Sequence, residues 1–295
     1  MTKKHFYELK NSDYSIFSSN RIGCSLLPFV VLLKLISNKT QYLCFILGLL
    51  SRDPKYKIFK IFQTFYIKIF FRFIDKFIFL SQGEYNLASE KFPLFKNKYF
   101  LLPFAVDTDM WKFRSSNKNK KKIIFVGNDG FRDFELAENL SVEMKEYDFI
   151  YVSENINQEN VNKTNSKIKK GSWGNPYLTD EELRNDYYEA CLTIIPIKES
   201  IQPSGQSVAL QSLSCGTPVL ITATSGFWDF ENFEHNYNIF FAQNNNLKEW
   251  KSKIENIFIL IDKEINNVIN NGKKTIDEFY SIERFSKKVE DILLN

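Results

Sequence analysis

Short apolar runs alternate with longer segments of helical periodicity along most of the chain. The apolar runs predict strands at residues 14–18, 41–47, 77–80, 99–102, 123–126, 149–153, 192–197 and 218–221. The intervening segments predict helices, among them residues 22–36, 57–74 and 84–91 and a helix that begins at Thr179. Strands that alternate with helices form parallel sheets covered by helices on both faces, so the pattern predicts an α/β protein. Residues 155–170 are rich in Asn and Lys and are predicted to form an exposed loop.

The alternation is interrupted once and restarts at Ile123. Residues 114–122 are rich in Ser, Asn and Lys, which is typical of a linker. A chain of 295 residues is long enough for two domains of ordinary size. Hydrophobic residues make up 44% and charged residues 25% of the chain, a balance that indicates a globular protein.

The net charge of +4 conceals a strong asymmetry. Through residue 122 the chain has 22 Lys and Arg against 8 Asp and Glu, whereas the remainder has 17 against 27. A basic half beside an acidic half indicates either an anionic surface as partner of the first half or attraction between the two halves. We expect no nucleic-acid partner.

Three apolar stretches raise the question of a membrane. Residues 25–36 and 42–50 are shorter than the roughly 20 apolar residues that a membrane-spanning helix needs. Residues 58–80 mix Phe and Ile with lysines and an arginine, which predicts a basic aromatic helix followed by a strand. Such a helix lies either in the interface of an anionic membrane or on a sheet with its lysines in solvent.

The cysteines, the histidines and the N-terminal residues indicate neither a metal site nor an export signal. Cys24, Cys44, Cys191 and Cys215 lie in apolar stretches without paired spacing, which favours reduced thiols. His5 and His235 have no clustered partner, so neither is expected to be catalytic. The first twenty residues lack the apolar core of a cleavable signal peptide, and we expect a cytoplasmic protein, with peripheral contact at the inner face of the membrane as an option.

The segment 202–220, QPSGQSVALQSLSCGTPVL, carries the most specific chemistry. A turn containing Gly205 precedes a predicted helix that ends at Gly216, with Pro218 beyond it. The free N–H groups and the dipole at such a helix start favour an anion, and Gln211 is placed to aim its amide at a sugar hydroxyl. Glycine turns at helix starts are also common without any ligand, so the spacing alone leaves both interpretations open.

The order Ser-Gly-x-Ser-x-x-x-Gln-x-x-x-Cys-Gly-x-Pro-Val resembles the nucleotide-sugar segment of family-4 retaining glycosyltransferases, which have the GT-B fold of two Rossmann-like domains. Most members have two glutamates eight positions apart, where this chain has Pro203 and Gln211. A branch of the family is similar to this Gln-Pro-Ser-Gly…Gln version. Residues 122–136, residues 177–190 and the C-terminal helix with Phe285 match further parts of the family in the same order.

The resemblance implies a set of donor-binding residues. Those for the donor diphosphate are Gly127, Arg132, Gly205, Gln206 and Ser207; those for the ribose or sugar are Gln211 and Ser204; those beside the nucleobase are Leu178 and Thr179. Where the family has an arginine directly after its first glycine, this chain has Asn128. From the residues themselves, Thr179 and Glu182 predict a capping box at a helix start.

The resemblance also implies a domain organisation and an activity. We expect a shortened, acceptor-side Rossmann-like domain at residues 1–106, an interdomain crossing and linker at 107–122, a nucleotide-sugar-binding domain at 123–275 and a C-terminal helix at 276–295. The activity would be retaining transfer of a sugar to a glycan or lipid-linked acceptor, without a metal or other cofactor. Because the N-terminal domain is short compared with the family, a non-catalytic subunit that pairs with another chain is the alternative. An epimerase or a hydrolase on the same architecture is disfavoured because the histidines and acids of such sites are not seen.

Overall fold

The computed structural model describes residues 3–36, 39–51, 54–114, 121–161, 164–171, 178–260 and 262–294. The chain forms two compact units. The first contains Met1–Pro103, Ile201–Pro203 and Ser286–Asn295, and the second contains Phe104–Ser200 and Ser204–Phe285. Each unit has one parallel sheet, which confirms the α/β class.

The first unit is a four-stranded sheet in the order β1-β2-β3-β4 with every pairing parallel. Its elements are α1 (Lys3–Asn11), β1 (Tyr14–Phe17), α2 (Asn20–Ile36), β2 (Gln41–Ile46), α3 (Lys57–Phe73), β3 (Lys76–Phe79), α4 (Gln82–Lys91), a 3₁₀ helix (Pro93–Lys98) and β4 (Tyr99–Leu101). Phe70 and Phe71 of α3 pack against Phe77 of β3, with ring centroids 5.3 and 4.8 Å apart. All three rings are fully buried, so this face of α3 forms the centre of the core.

A buried carboxylate holds the loop that follows β2. The two oxygens of Glu84 accept hydrogen bonds from the backbone N–H groups of Gly48 and Leu50, each at 2.8 Å. Burial raises the pKa of Glu84, while these backbone donors act in the opposite direction. The loop at the carboxyl end of β2 is therefore fixed by α4.

The second unit is a six-stranded parallel sheet in the order β10-β9-β8-β5-β6-β7. Its elements are β5 (Lys122–Val126), α5 (Phe134–Glu143), β6 (Asp148–Val152), α6 (Gln158–Val161), β7 (Lys167–Lys169), α7 (Asp180–Glu189), β8 (Leu192–Ile195), α8 (Gln206–Ser214), β9 (Val219–Thr222), β10 (Phe240–Ala242), α9 (Leu247–Ile259) and α10 (Asp262–Phe279). The last helix, α11 (Ile282–Leu294), begins in the second unit and belongs to the first from Ser286 onward. Two apolar clusters cover its sheet. In the first unit, the end of α11 is tied down by Lys76, which donates to the carbonyls of Ile292 and Leu293.

The predicted loop at residues 155–170 is wrong in part. The structure has α6 there, and β7 pairs with β6 at the edge of the sheet. The sequence of β7, Lys-Ile-Lys, is polar on one face, as edge strands often are, and this polarity concealed it. Residues 115–120 of the predicted linker lie outside the described residues.

None of the four cysteines, all of which are among the described residues, forms a disulfide; Cys44 and Cys215 are buried, and Cys24 and Cys191 are half-buried. None of the helices in the described part of the chain combines the length and hydropathy that a membrane span requires. Within the same residues, no group of three or more His, Cys, Asp and Glu side chains is arranged to hold a metal ion.

Candidate functional site

The sheet of the second unit has a topological switch point between β5 and β8. From β5 the chain proceeds through α5 to β6 on one side, while β8 and β9 lie on the other. In open α/β sheets, ligands bind outside the carboxyl ends of the strands at such a point. The turn with Gly127 directly follows β5, and the turn with Gly205 follows β8, so both predicted glycine turns lie at this edge.

Both glycines have backbone conformations that side-chain-bearing residues rarely adopt. Gly127 has a φ of 150° and Gly205 a φ of 78°. A Cβ atom added to Gly127 would lie 2.3 Å from Nε of Arg132, and one added to Gly205 would lie 2.8 Å from its Nη1. The guanidinium of Arg132 is therefore packed against the backbone of both turns.

Arg132 lies beneath the turns, with 2% of its surface exposed. Its Nε donates to the carbonyl of Val126 at 3.3 Å, and its Nη1 donates to the hydroxyl of Ser204 at 2.9 Å. Burial lowers the pKa of Arg132 below its ordinary value, and nearby Asp129 acts in the opposite direction. Because arginine stays protonated in proteins, the floor of the site carries a buried positive charge.

Ser204 and Asp129 complete the network around this charge. The Ser204 hydroxyl donates to Oδ1 of Asp129 at 2.8 Å, and Oδ2 of Asp129 lies 3.5 Å from Nη1 of Arg132. Ser204 is 8% exposed, whereas the side chain of Asp129 is 41% exposed. The hydroxyl predicted to contact ribose or sugar thus joins the two glycine turns.

Asn128 is engaged by the protein. Its Oδ1 accepts from the hydroxyl of Ser153 at 3.0 Å and from the backbone N–H of Glu154 at 2.7 Å, and its Nδ2 donates to the carbonyl of Gly171 at 2.6 Å. These bonds tie the turn after β5 to the segments that follow β6 and β7. The Asn128 amide therefore shapes the loop after β5.

The first turn of α8 lacks a side-chain cap. Its N-cap residue, Gly205, has a left-handed conformation and provides no capping hydrogen bond. In the same unit α5, α7 and α9 are capped by the side chains of Asp133, Thr179 and Asn246. The N–H groups at the start of a helix attract an anion when no side chain satisfies them.

Gln206 and the half-buried face of α8 indicate a ligand at the start of this helix. Gln206 is 5% exposed, and its Nε2 has no hydrogen-bond acceptor among the described residues. A buried unpaired donor costs about 1–3 kcal/mol, so such a group requires a particular explanation. Ser207 and Gln211 are half-buried, whereas the rest of α8 is buried. Four residues apart, these two side chains share one helix face, and both were predicted to bind the donor.

The predicted capping box at the start of α7 is confirmed. The Thr179 side chain accepts from the N–H of Glu182 at 3.2 Å, and the Glu182 carboxylate accepts from the N–H of Thr179 at 2.7 Å. The Thr179 hydroxyl is thereby used within the helix start. Leu178 packs, partly buried, against the core cluster that contains Val208 and Tyr187. Residues 172–177 lie outside the described residues.

Tyr187 was missed by sequence reasoning. It is fully buried, its hydroxyl has no hydrogen-bond partner among the described residues, and burial raises its pKa well above the ordinary value. Cys215 and Arg132 are near enough to influence its titration in opposite directions. Nothing in the sequence distinguishes it from its half-exposed neighbour Tyr188.

His235 has a structural role. Its Nδ1 accepts a hydrogen bond from the backbone N–H of Phe241 at 2.9 Å. Burial and, to a smaller degree, Lys253 lower the pKa of this imidazole. Both effects favour the neutral ring, which is needed to accept the bond.

Solved structures of similar fold cover nearly the whole chain. HepE of Anabaena, in complex with UDP, is 12% identical over 98% of this chain and 80% of its own, with a TM-score of 0.76. A glycosyltransferase from Rickettsia africae is 15% identical over 99% and 79%, with a TM-score of 0.73. Sucrose-phosphate synthase from Thermosynechococcus elongatus is 14% identical over 95% and 72%, with a TM-score of 0.71.

These similarities establish the GT-B fold. No protein-family model matches the chain, and the search of curated proteins finds no match.

Proposed function

We propose that this chain is a glycosyltransferase that binds a nucleotide sugar in its second unit. One observation carries the proposal: the turn of Gly127, the uncapped start of α8 at Gly205 and the half-exposed pair Ser207 and Gln211 converge at the switch point of a parallel sheet. Phosphate, sugar and ribose groups match these donors in charge and in hydrogen-bonding capacity. The fold that the chain shares with HepE supports the same interpretation.

The site suggests a role for each group. The N–H groups of the first turn of α8 would hold the donor diphosphate, with the Gln206 amide as a further donor. Gln211 and Ser207, one turn apart, would contact hydroxyls of the ribose or the sugar. The apolar side chain of Leu178 would lie against the base. HepE has been solved with UDP-glucose, so UDP-sugars are the first donors to test.

The chemistry follows from where charge develops. As the bond from the sugar to the diphosphate breaks, negative charge builds up on the leaving phosphate. Fixed N–H donors would stabilise it, and the buried guanidinium of Arg132, whose charge Asp129 balances in part, would add to them because a charge beneath the surface is screened less than one in water. The leaving phosphate can accept the proton of the acceptor hydroxyl, so the sugar would be transferred with retention. We propose a glycan or lipid-linked hydroxyl as acceptor.

Binding of UDP, GDP and ADP to the whole chain tests the donor assignment. A ligand at 100 times its dissociation constant raises the free energy of unfolding by about 2.7 kcal/mol, which a thermal-shift measurement detects. We expect Gln211→Ala to weaken the binding of the nucleotide and to leave inorganic pyrophosphate unaffected. Asn256→Ala, a change at an exposed residue of α9, is the matched control.

Release of UDP from UDP-glucose, with and without added acceptor glycans, tests the transferase activity separately. The donor assignment is wrong if none of the nucleotides shifts the melting temperature. It is also wrong if Gln211→Ala and Asn256→Ala behave alike. If the protein binds a donor but releases no nucleotide from a panel of UDP-, GDP- and ADP-sugars, the donor-site assignment stands and the proposed transferase activity is refuted.

A further inference from the structure

Helix α3 carries apolar side chains on two opposite faces. Ile67, Phe70 and Phe71 on one face are buried in the core of the first unit. Four residues on the opposite face, at the helical spacing i, i+3, i+4 and i+7, are largely exposed: Ile58 at 61%, Ile61 at 62%, Phe62 at 64% and Phe65 at 64%. A helix that only packs on a sheet has a polar outer face, so the second stripe requires another explanation.

The charge on this helix has one sign. Between Asp53 and Asp75 the sequence has five basic residues and no acidic one. The basic residues are Lys55, Lys57, Lys60, Lys68 and Arg72, and all of them are exposed. An exposed apolar stripe flanked by cations is typical of helices that lie in the interface of an anionic membrane.

The exposed stripe lies at the carboxyl edge of the first sheet. Because α3 follows β2 and precedes the parallel strand β3, it starts at the carboxyl ends of the strands. The stripe occupies the first turns of the helix, from Ile58 to Phe65. Whatever covers it therefore lies at the carboxyl edge of the first sheet, beside the loop that Glu84 holds.

We propose that the outer face of α3 docks into the headgroup region of an anionic lipid bilayer. Phe62 and Phe65, with the two isoleucines, enter the boundary between headgroups and acyl chains, while Lys57 and Lys68 at one side of the stripe contact lipid phosphates. A second copy of the chain is a poorer occupant, because a symmetric contact through this face would bring two sets of like charges together. The proposal does not depend on the donor site of the second unit.

Flotation of the whole protein with vesicles tests the proposal. We expect binding to phosphatidylcholine mixed with phosphatidylglycerol and much weaker binding to phosphatidylcholine alone. Raising the salt concentration should weaken the binding without abolishing it, because salt screens only the electrostatic part. Neutralising Lys57 or Lys68, which lie to one side of the stripe, with glutamine should reduce the partition coefficient about fivefold for each charge, which corresponds to about 1 kcal/mol.

The double variant Phe62→Ser, Phe65→Ser measures the apolar contribution to membrane binding. Its partition coefficient should be lower than that of the wild type by at least about tenfold. Leu94→Ser is the matched control, because Leu94 is 88% exposed in the same unit but on the 3₁₀ helix after α4. All three side chains are exposed, so we expect unchanged melting temperatures.

Equal flotation of the double variant and the wild type would overturn the proposal, as would an equal loss in Leu94→Ser. Equal binding to neutral and anionic vesicles would also overturn it. A dimer that the double variant abolishes, in a protein that binds no vesicle, would identify the occupant as a second copy. Binding to an acidic protein in place of vesicles would identify a protein partner; either result overturns the lipid assignment.

Discussion

Replacing Gly205 by alanine tests whether the start of α8 is held by backbone strain and close packing. At a φ of 78° an alanine has a left-handed conformation, which costs about 1–2 kcal/mol. Its Cβ would lie 2.6 Å from Cγ2 of Ile195 and 2.8 Å from Nη1 of Arg132, both of which are buried. Overpacking of this kind costs a further 1–3 kcal/mol. We therefore expect Gly205→Ala to lower the free energy of unfolding of the second unit by about 2–5 kcal/mol.

Two other glycines of the second unit separate the cost of backbone strain from the cost of overpacking. Gly216 has a similar φ, 80°, but its added Cβ would meet the ring of Phe113, which is 38% exposed and free to move. Gly216→Ala should therefore cost only the strain of about 1–2 kcal/mol. Gly130 lies in the turn after β5 and has no atom within 4 Å of the added Cβ, so Gly130→Ala should change stability by less than about 0.5 kcal/mol.

Unfolding in urea, followed by tryptophan fluorescence, measures these differences in the relevant unit. All four tryptophans of the chain lie between residues 104 and 285, within the second unit. We expect the losses to decrease in the order Gly205→Ala, Gly216→Ala, Gly130→Ala. We also expect the affinity for UDP to fall about tenfold in Gly205→Ala alone, equivalent to about 1.4 kcal/mol. The reasoning is wrong if Gly205→Ala unfolds at the same urea concentration as Gly130→Ala.

Two further predictions concern buried polar side chains of the second unit. Tyr187→Phe removes a hydroxyl that has no partner among the described residues, so it should leave the free energy of unfolding unchanged or raise it. Tyr151→Phe removes a hydroxyl that donates to a backbone carbonyl at 2.7 Å, so it should lower the free energy of unfolding by about 1 kcal/mol. Equal losses for the two variants in urea unfolding would contradict this prediction. The pKa of His235 is lowered in the folded state, so its contribution to stability should be lost as the pH falls below the unfolded value of about 6.5. The stability difference between wild type and His235→Ala should shrink as the pH falls from neutral to below about 6.5, because protonation of the ring breaks the bond from Phe241. His5→Gln serves as the control, and a difference that does not change with pH would refute the assignment.

The sequence was sufficient to predict the fold class and most elements that position the site. The glycine turn before α8 and the capping box of α7 are local patterns, and local hydrogen bonding and backbone freedom determine them. The position of Arg132 was not predictable, because it depends on Ser204, which is 72 residues away in the chain. The strand β7 was missed for a related reason: its pairing with β6 is decided by the sheet and not by its own polar sequence. The exposure of the outer stripe of α3 also required the structure, since its apolar residues resemble those of a core helix.

The contact between Gly127 and Arg132 has a consequence for how these positions change in evolution. The three atoms nearest to a Cβ at position 127 all belong to the Arg132 side chain, at 2.3, 3.0 and 3.1 Å. A larger residue at 127 is therefore tolerated only after position 132 has become smaller, although the backbone strain at a φ of 150° remains. Since neighbours in contact have non-additive effects, Gly127→Ala should be less harmful in an Arg132→Ser background than in the wild type. Relatives that lack the arginine should accordingly replace the glycine more often than relatives that retain it, although the backbone strain still favours glycine in both.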